Sequence, residues 1–416
     1  MVNPESDSQE RAQPRYFYGY VVVVASFFII MVAFGLYGTY GIFFNPLLEE
    51  FGWNRATTSA AYSLSMTVHG VLAILMGSLN DRFGPRIVLT SCGLILGLGY
   101  LLMSQVNSLW NLYLFYGIII GVGMSGIWIP LLSTVARWFN RRRSLMSGIV
   151  VSGGGIGSLI VSPSIGWLVS VYGWRTSYMI VGGIVLVVAL IAAQFLKRDP
   201  QKVGQLPFGE SRNPHLDQKP LPVVPSYSLR EAVRTRRFWL AFLMFMCFGF
   251  CMVAIVVHIV PHAIDLGVPA VMAANILAIR GGMGILGSYL LGGLGDRIGN
   301  RKLFMLGFIM FIAALFWLMP ASEMWMLYLF IVVYGLALGG MNASESPFVA
   351  SLFGLRSHGM IYGIVGLGFT VGASIGPIVT GYIYDLTSSY QTAFILCVGF
   401  AVVGLALGCL LRPSKR

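Results

Sequence analysis

Asn80-Asp81-Arg82-Phe83-Gly84-Pro85-Arg86 returns about 215 residues later as Gly295-Asp296-Arg297-Ile298-Gly299-Asn300-Arg301. Each copy closes one long apolar run and opens the next, so each reads as a tight turn between two helices. Glycine permits the turn, while the aspartate and arginine can cap helix ends and pair across a closing gap. Other stretches repeat at the same offset: Leu112-Tyr113-Leu114-Phe115 as Leu327-Tyr328-Leu329-Phe330, and the Pro163 to Gly166 region around Pro377 to Gly381. One such turn says little. Two at the spacing of a whole-chain repeat say that the chain is a duplication whose halves share one orientation.

Outward from these turns, apolar runs of membrane-spanning length recur about twelve times. They lie near 17–44, 57–79, 87–105, 110–136, 145–169 and 175–196, then 238–263, 270–294, 303–319, 325–350, 359–383 and 391–411. With 57% hydrophobic and 10% charged residues over 416 positions, the chain is too apolar for a soluble domain. The expected fold is therefore all-α: a polytopic membrane protein of twelve transmembrane helices in two six-helix halves, 17–196 and 238–411. Tails at 1–16 and 412–416 flank them, and a polar, Pro-rich linker at 197–237 joins them, with a short amphipathic helix expected from Ser228 to Arg237. Met1–Arg15 lacks the apolar core of a cleaved signal peptide.

The formal net charge of +12 is an orientation signal. Of 27 Lys and Arg, Arg55 and Arg175 fall on one side of the expected membrane and Arg280 within it. The rest fall on the other side, in the tails, the linker and the loops around Asp81, Arg137, Asp296 and Arg356. That bias puts both termini in the cytoplasm of a cell membrane. It argues for contact with the lipid bilayer and against nucleic acid as a partner. All five cysteines fall inside expected spans, and Cys247 and Cys251, one turn apart, read as packing residues rather than a metal site.

Arg280 breaks the pattern. It stands mid-way along AVMAANILAIRGGMGILGSYLLGGL (Ala270 to Leu294), near the expected bilayer midplane. A charge there costs at least ~3 kcal/mol on insertion scales, so it needs a partner, a cavity or a ligand. Gly281, Gly282, Gly284 and Gly287 leave room for a helix or a solute to approach. Its planar fork suits a carboxylate. The competing reading is a structural ion pair, for which Glu345, near one end of its helix, is the nearest acid to being intramembrane. Gly153-Gly154-Gly155-Ile156-Gly157 lacks the Lys-Ser/Thr of a phosphate loop and reads as helix packing. No nucleophile–base pair, metal cluster or ATP motif stands out, so neither an enzyme nor a cofactor is expected.

Over its whole length the chain resembles the major facilitator superfamily, and within it the monocarboxylate transporter family, in particular bacterial members related to oxalate/formate-type anion transporters. Three stretches carry this: Tyr40-Gly-Ile-Phe-Phe-Asn-Pro-Leu-Leu-Glu-Glu-Phe-Gly-Trp53, Arg137-Trp-Phe-Asn-Arg-Arg-Arg-Ser-Leu-Met-Ser-Gly148, and Arg280 on the eighth helix, where that family carries its carboxylate-binding arginine. The chain also departs from the family. Eukaryotic members have a lysine near the position of Gly38 and an aspartate at that of Ile276, so their proton relay does not transfer. Dicarboxylate-handling relatives carry a second buried cation on the eleventh helix, which here has no Lys or Arg between Gly359 and Ile383.

The resemblance implies a cavity lined by Phe28, Tyr37, Tyr116, Tyr334 and Tyr362, with Leu145 or Met146 as apolar wall and Asn275 as a polar neighbour of Arg280; each of these residues is also explicable as helix packing. His258 and His69 are candidates for proton coupling, against a bland reading as hydrogen-bonded interfacial or helix-contact histidines. His262, one turn after His258, shares that reading. Asp81, Arg82, Asp296, Arg297 and Glu345 are candidates for gating. The expected function is proton-coupled symport of a small monocarboxylate by alternating access, with no obligatory protein partner. The alternatives are a carboxylate exchanger of the oxalate/formate type and a carboxylate-sensing receptor that moves nothing.

Overall fold

The computed structural model describes residues 17–53, 55–210, 226–268 and 270–411. The two expected tails and residues 211–225 of the linker lie outside them. Among the described residues the chain is helical, with a single isolated β-bridge between Phe139 and Phe208. That is the outcome the bilayer demands, because a spanning helix satisfies its own backbone donors and acceptors.

In the first half the membrane helices are α1 (Gly19–Tyr37), α2 (Arg55–Phe83), α3 (Pro85–Met103), α4 (Leu109–Trp138), α5 (143–172) and α6 (174–194). The second half holds α7 (Arg236–Asp265), α8 (Ala270–Ile298), α9 (Asn300–Leu318), α10 (Met324–Phe353), α11 (His358–Thr387) and α12 (Gln391–Leu410). α5 and α6 run together over 52 residues, but Gly173 lies between them at φ 75°, ψ 165°. Only glycine takes that backbone readily, so it marks a corner between two helices. The repeated turns behave alike: Gly84 and Gly299 sit at φ 86° and 91°, each just before the next helix starts.

One expected element differs. Ser228 caps a short helix, Leu229–Val233, through a capping box with Glu231, and Thr235 then caps α7 by accepting from the Phe238 N–H at 3.3 Å. Ser228 to Arg237 is therefore two starts rather than one amphipathic helix.

The halves meet along two antiparallel seams, α2 against α11 and α5 against α8. Both are built on small residues. The backbones of Gly77 and Gly359 come together, a Cβ on Gly363 would lie 2.9 Å from the Ile74 Cα, and Gly148 abuts the Ser288 carbonyl. The glycine-rich stretch of α5 serves two neighbours: Gly153 and Gly157, one turn apart, pack on Phe27 and Met31 of α1, while Gly155 faces Ile285 of α8. All the contacts between halves named here lie between the Asp81/Asp296 end and the middle of the helices.

At the opposite end the first half is braced on Glu50, beyond α1. Its carboxylate accepts from Trp174 Nε1 at 2.6 Å and Arg175 Nη2 at 2.7 Å, and Arg175 also donates to the Ser104 and Val106 carbonyls. The Arg175 and Trp174 donors hold the Glu50 carboxyl below the usual glutamate range. A lowered folded-state value stabilises the fold above the ordinary glutamate pKa and is lost as pH falls through the lowered one. Both partners are about 40% exposed, so the contribution is small, within about 0.2–1 kcal/mol. The purified protein's melting temperature should fall slightly below pH ~4, and Glu50→Gln should remove that dependence, as a thermal-shift titration would read.

Candidate substrate site and closing contact

Arg280 lies on α8 where α10 crosses it. A Cβ on Gly335 of α10 would sit 3.0 Å from the Arg280 carbonyl oxygen and 2.9 Å from Met283 Cβ, so glycine there is what brings the two helices together. Tyr334, next in sequence, is buried; its hydroxyl donates to the Met252 carbonyl at 2.8 Å and its ring stacks on Phe311 and Phe330. The guanidinium is half-buried, makes no ion pair among the described residues, and its buried Nε has no hydrogen-bond partner. The side chain is not sealed in: it keeps partial exposure although its Nε is buried. An unpaired cation with an idle buried donor and partial exposure can take an anion.

Glu345, the alternative partner, is engaged elsewhere. It is 6% exposed, and its Oε2 accepts from Tyr362 Oη at 2.7 Å and from Trp128 Nε1 at 3.3 Å. Gly335 and Glu345 are ten residues apart, ~15 Å along α10, so Glu345 stands well toward the Asp81/Asp296 end from Arg280. The ion-pair reading of Arg280 finds no support.

The other candidates divide. Tyr37 donates to Ser65 Oγ at 3.2 Å and stacks with Tyr62 and Tyr116, and the Tyr116 hydroxyl donates to the Tyr37 carbonyl at 3.4 Å. His69 meets Phe34 and Tyr37 edge-on, at 6.3 and 6.5 Å between centroids. These form one aromatic cluster in the first half, around Ser65, the repeat counterpart of Arg280. Phe28 is 46% exposed and touches Phe27. Asn275 is exposed and five positions from Arg280, ~140° round the helix at 3.6 residues per turn, so the two point apart. Leu145 lies against α8 at Gly293, where an added Cβ would sit 3.8 Å from its Cδ1, ~20 Å along the helix from Arg280 and in the closed seam. His258 is held by Tyr390 Oη at 3.3 Å and the Pro377 carbonyl at 3.0 Å, inside its own half. His262 packs edge-on against Tyr390 and Phe394.

The two repeated aspartates do the same work reciprocally. Asp296 of α8 accepts from the backbone N–H groups of Ser144 and Leu145 at 2.8 and 2.9 Å, capping the start of α5. Asp81 of α2 accepts from the Met360 N–H at 3.0 Å, in the first turn of α11, and from Arg137 at 2.9 Å. Each half thus neutralises a helix N-terminus of the other. Arg82 and Arg297 do not join: both are exposed, and neither makes an ion pair among the described residues. The helix runs on through each motif, so the residue after the aspartate points ~100° away, and Arg137 supplies the cation for Asp81 instead.

Trp128, Ser346 and His358 escaped the sequence reading. Trp128 of α4 reaches into the other half to Glu345 and to Tyr362 Oη, at 3.0 Å. Ser346 donates to the Leu132 carbonyl across the halves at 3.0 Å and lies 3.0 Å from His358 Nε2. Trp128 and Glu345 are 217 residues apart, and no local spacing announces the pair.

Two six-helix halves in one orientation, touching at one end, with a mid-helix cation beyond the contact that has no ion pair among the described residues, define a membrane carrier architecture. The chain belongs to the Major Facilitator Superfamily, whose family model matches residues 26–294 and 263–416. It is 28% identical over 399 residues to monocarboxylate transporter 13 of Rattus norvegicus, covering 93% of this chain and 87% of that protein. To monocarboxylate transporter 11 of Homo sapiens it is 27% identical over 393 residues, covering 91% and 80%. These relatives are animal proteins, where the resemblance read from the sequence was to bacterial members. Among solved structures it is similar to the transporter FucP in the outward conformation, with a TM-score of 0.72 at 15% identity over 95% of this chain and 99% of that one. A point variant of the E. coli fucose:proton symporter FucP gives 0.69 at 15% identity, covering 94% and 100%.

The reciprocal caps lead to an expectation. Ser346 is fully buried at the contact. With the native cysteines replaced, Ser346→Cys should resist alkylation, and adding Asp81→Asn with Asp296→Asn should speed its labelling several-fold. Unchanged labelling would mean that the aspartates do not hold the contact.

Proposed function

We propose that this protein is a secondary carrier of small monocarboxylates that works by alternating access of its two halves, with a proton as the coupled ion. The observation that carries the reading is Arg280: a guanidinium at mid-helix with no ion pair among the described residues, an idle buried Nε and a partly exposed side chain. Its position on the eighth helix matches that of the carboxylate-binding arginine in the family the sequence resembles. The names of the relatives, monocarboxylate transporters 11 and 13, agree with this substrate class.

In this reading the Asp81/Asp296 end is the cytoplasmic one, as the Lys and Arg distribution requires, so both termini face the cytoplasm and the protein is a multi-pass protein of the cell membrane. The cytoplasmic seams are closed, and substrate reaches Arg280 from the other side. Tyr62, the partly exposed member of the Tyr37–Tyr62–Tyr116 cluster, supplies an aromatic wall, and Tyr37, Tyr116 and Tyr334 pack behind. The carrier needs no catalytic group or cofactor, because the work is binding and exchange of contacts between halves.

Uptake into proteoliposomes tests this. Labelled lactate or pyruvate should enter, and an inward acid gradient should drive its accumulation. Entry only against internal anion would favour an exchanger, and binding without entry would favour a sensor. Arg280→Ala should insert and purify normally but lose ~10- to 100-fold or more in transport, as expected for removing a charge-assisted bidentate contact. Arg280→Lys should be nearly as poor, since a point charge replaces a fork. Normal transport by Arg280→Ala would refute the assignment.

Selectivity is a separate expectation. One unpaired mid-membrane cation balances one carboxylate, and α11 offers no second between Gly359 and Ile383. Lactate and pyruvate should compete well, oxalate and succinate poorly. Strong competition by a dianion would contradict it.

A further inference from the structure

Arg280 and the aromatic walls leave one buried group unused. Among the described residues the buried charged side chains are Arg137, at 9% exposure, and Glu345, at 6%. Arg137 has Asp81 and Asp199 as ion-pair partners. Glu345 has no ion pair among the described residues, and the two donors that reach it, Trp128 Nε1 and Tyr362 Oη, are neutral and converge on one oxygen.

None of the titratable and charged groups on the helices around it forms an ion pair with Glu345 among the described residues. On α11, His358 stacks on Tyr362 at 5.8 Å and turns its Nε2 to Ser346. On α8, Arg280 is the unpaired cation, Tyr289 accepts from or donates to Ser152 at 3.0 Å, and Asp296 caps α5. Arg143 at the start of α5 binds the Phe139 carbonyl and Asn140. Arg301 of α9 binds the Gly408 and Cys409 carbonyls. His69 of α2 lies in the aromatic cluster, and His258 of α7 is held by Tyr390 and Pro377.

We infer that Glu345 is the group that binds the coupled proton, and that taking up the proton loosens the contact between the halves at Trp128. The inference rests on the proton-coupled reading above. Its first support is the site itself. The anion is held by two converging donors and the neutral acid by apolar surroundings, so each protonation state has a distinct stabilising environment. The second is position. Trp128 belongs to the first half, whereas Glu345 and Tyr362 belong to the second, so one of the two donors to the carboxylate spans the closing contact. A hydrogen bond to a carboxylate is roughly twice as strong as one to a neutral acceptor. A proton added from water to the carboxylate oxygen therefore weakens a bond between halves, and its return to water on the far side restores it.

The third support is charge. Empty, the carrier holds Arg280 positive and Glu345 negative. Loaded, the substrate carboxylate offsets Arg280 and the proton offsets Glu345. Both forms then move through the apolar bilayer with no net buried charge, and one proton travels with each carboxylate.

Glu345→Gln keeps an acceptor for Trp128 and Tyr362 but cannot titrate. In proteoliposomes it should retain exchange of external labelled lactate for internal lactate, and lose accumulation driven by an inward acid gradient by at least ~10-fold, within the usual range of coupling between two sites. His258→Ala should accumulate like wild type. Gradient-driven accumulation by Glu345→Gln would overturn the assignment while leaving symport intact, whereas wild-type uptake indifferent to the gradient would sink the symport reading itself. Loss of exchange together with accumulation, in a variant with the wild-type melting temperature, would also overturn it. Trp128→Phe supplies an independent readout, since it removes a donor to the anion and should move the pH of half-maximal uptake upward. An unmoved midpoint would contradict the inference even if Glu345→Gln failed to fold.

Discussion

The low polarity of the bilayer interior is the constraint on which the rest of this structure depends. It admits a charge only where something answers it. Arg280 and Glu345 are opposite in sign and lie on facing helices, yet each has separate surroundings. The guanidinium keeps an idle Nε and partial exposure, and the carboxylate accepts from Trp128 and Tyr362. Had they paired, the site would be a structural salt bridge with no vacancy for a solute. Their separation along α10 is what, in the function proposed here, leaves one to bind an anion and, on our inference, the other to bind a proton.

Everything around these two charges serves to bring helices close without adding polar groups. Glycines on α8 and α10 let the backbones meet beside Arg280, and Gly77 and Gly359 do the same between halves. The seams are then fastened at one end by Asp81 and Asp296, each capping a helix of the opposite half. A charge at a helix N-terminus is worth about 0.3–1 kcal/mol when exposed and somewhat more when partly buried. Contacts of that size hold a closed arrangement without making it permanent, which suits a carrier that must reopen.

The fold was legible because spanning helices leave a dense record: twelve apolar runs, a parallel repeat and a doubled turn with glycine at its left-handed position. Even the corner at Gly173 fell between two expected spans. The linker helix was misread although its signals were present, since Ser228 and Glu231 spell a capping box and Thr235 begins a second helix. The site was only partly legible. Arg280 stood out because a lone cation in an apolar run is costly wherever it lies. Leu145 and Asn275 were placed near it by analogy, and helix geometry carries both away. Arg82 and Arg297 were grouped with their aspartates by adjacency in sequence, whereas adjacency on a helix separates side chains. Trp128 could not be found at all, because its role arises from a contact between halves that sequence distance conceals.

The central claim is that one carboxylate and one proton bind together at two separate intramembrane charges, Arg280 and Glu345. Calorimetry of lactate binding to the detergent-purified protein, repeated in buffers of different ionisation enthalpy, reads the number of protons taken up on binding. At a pH where Glu345 is ionised in the empty protein, the account requires uptake of close to one proton per lactate bound. Binding with no proton uptake at any pH would contradict it.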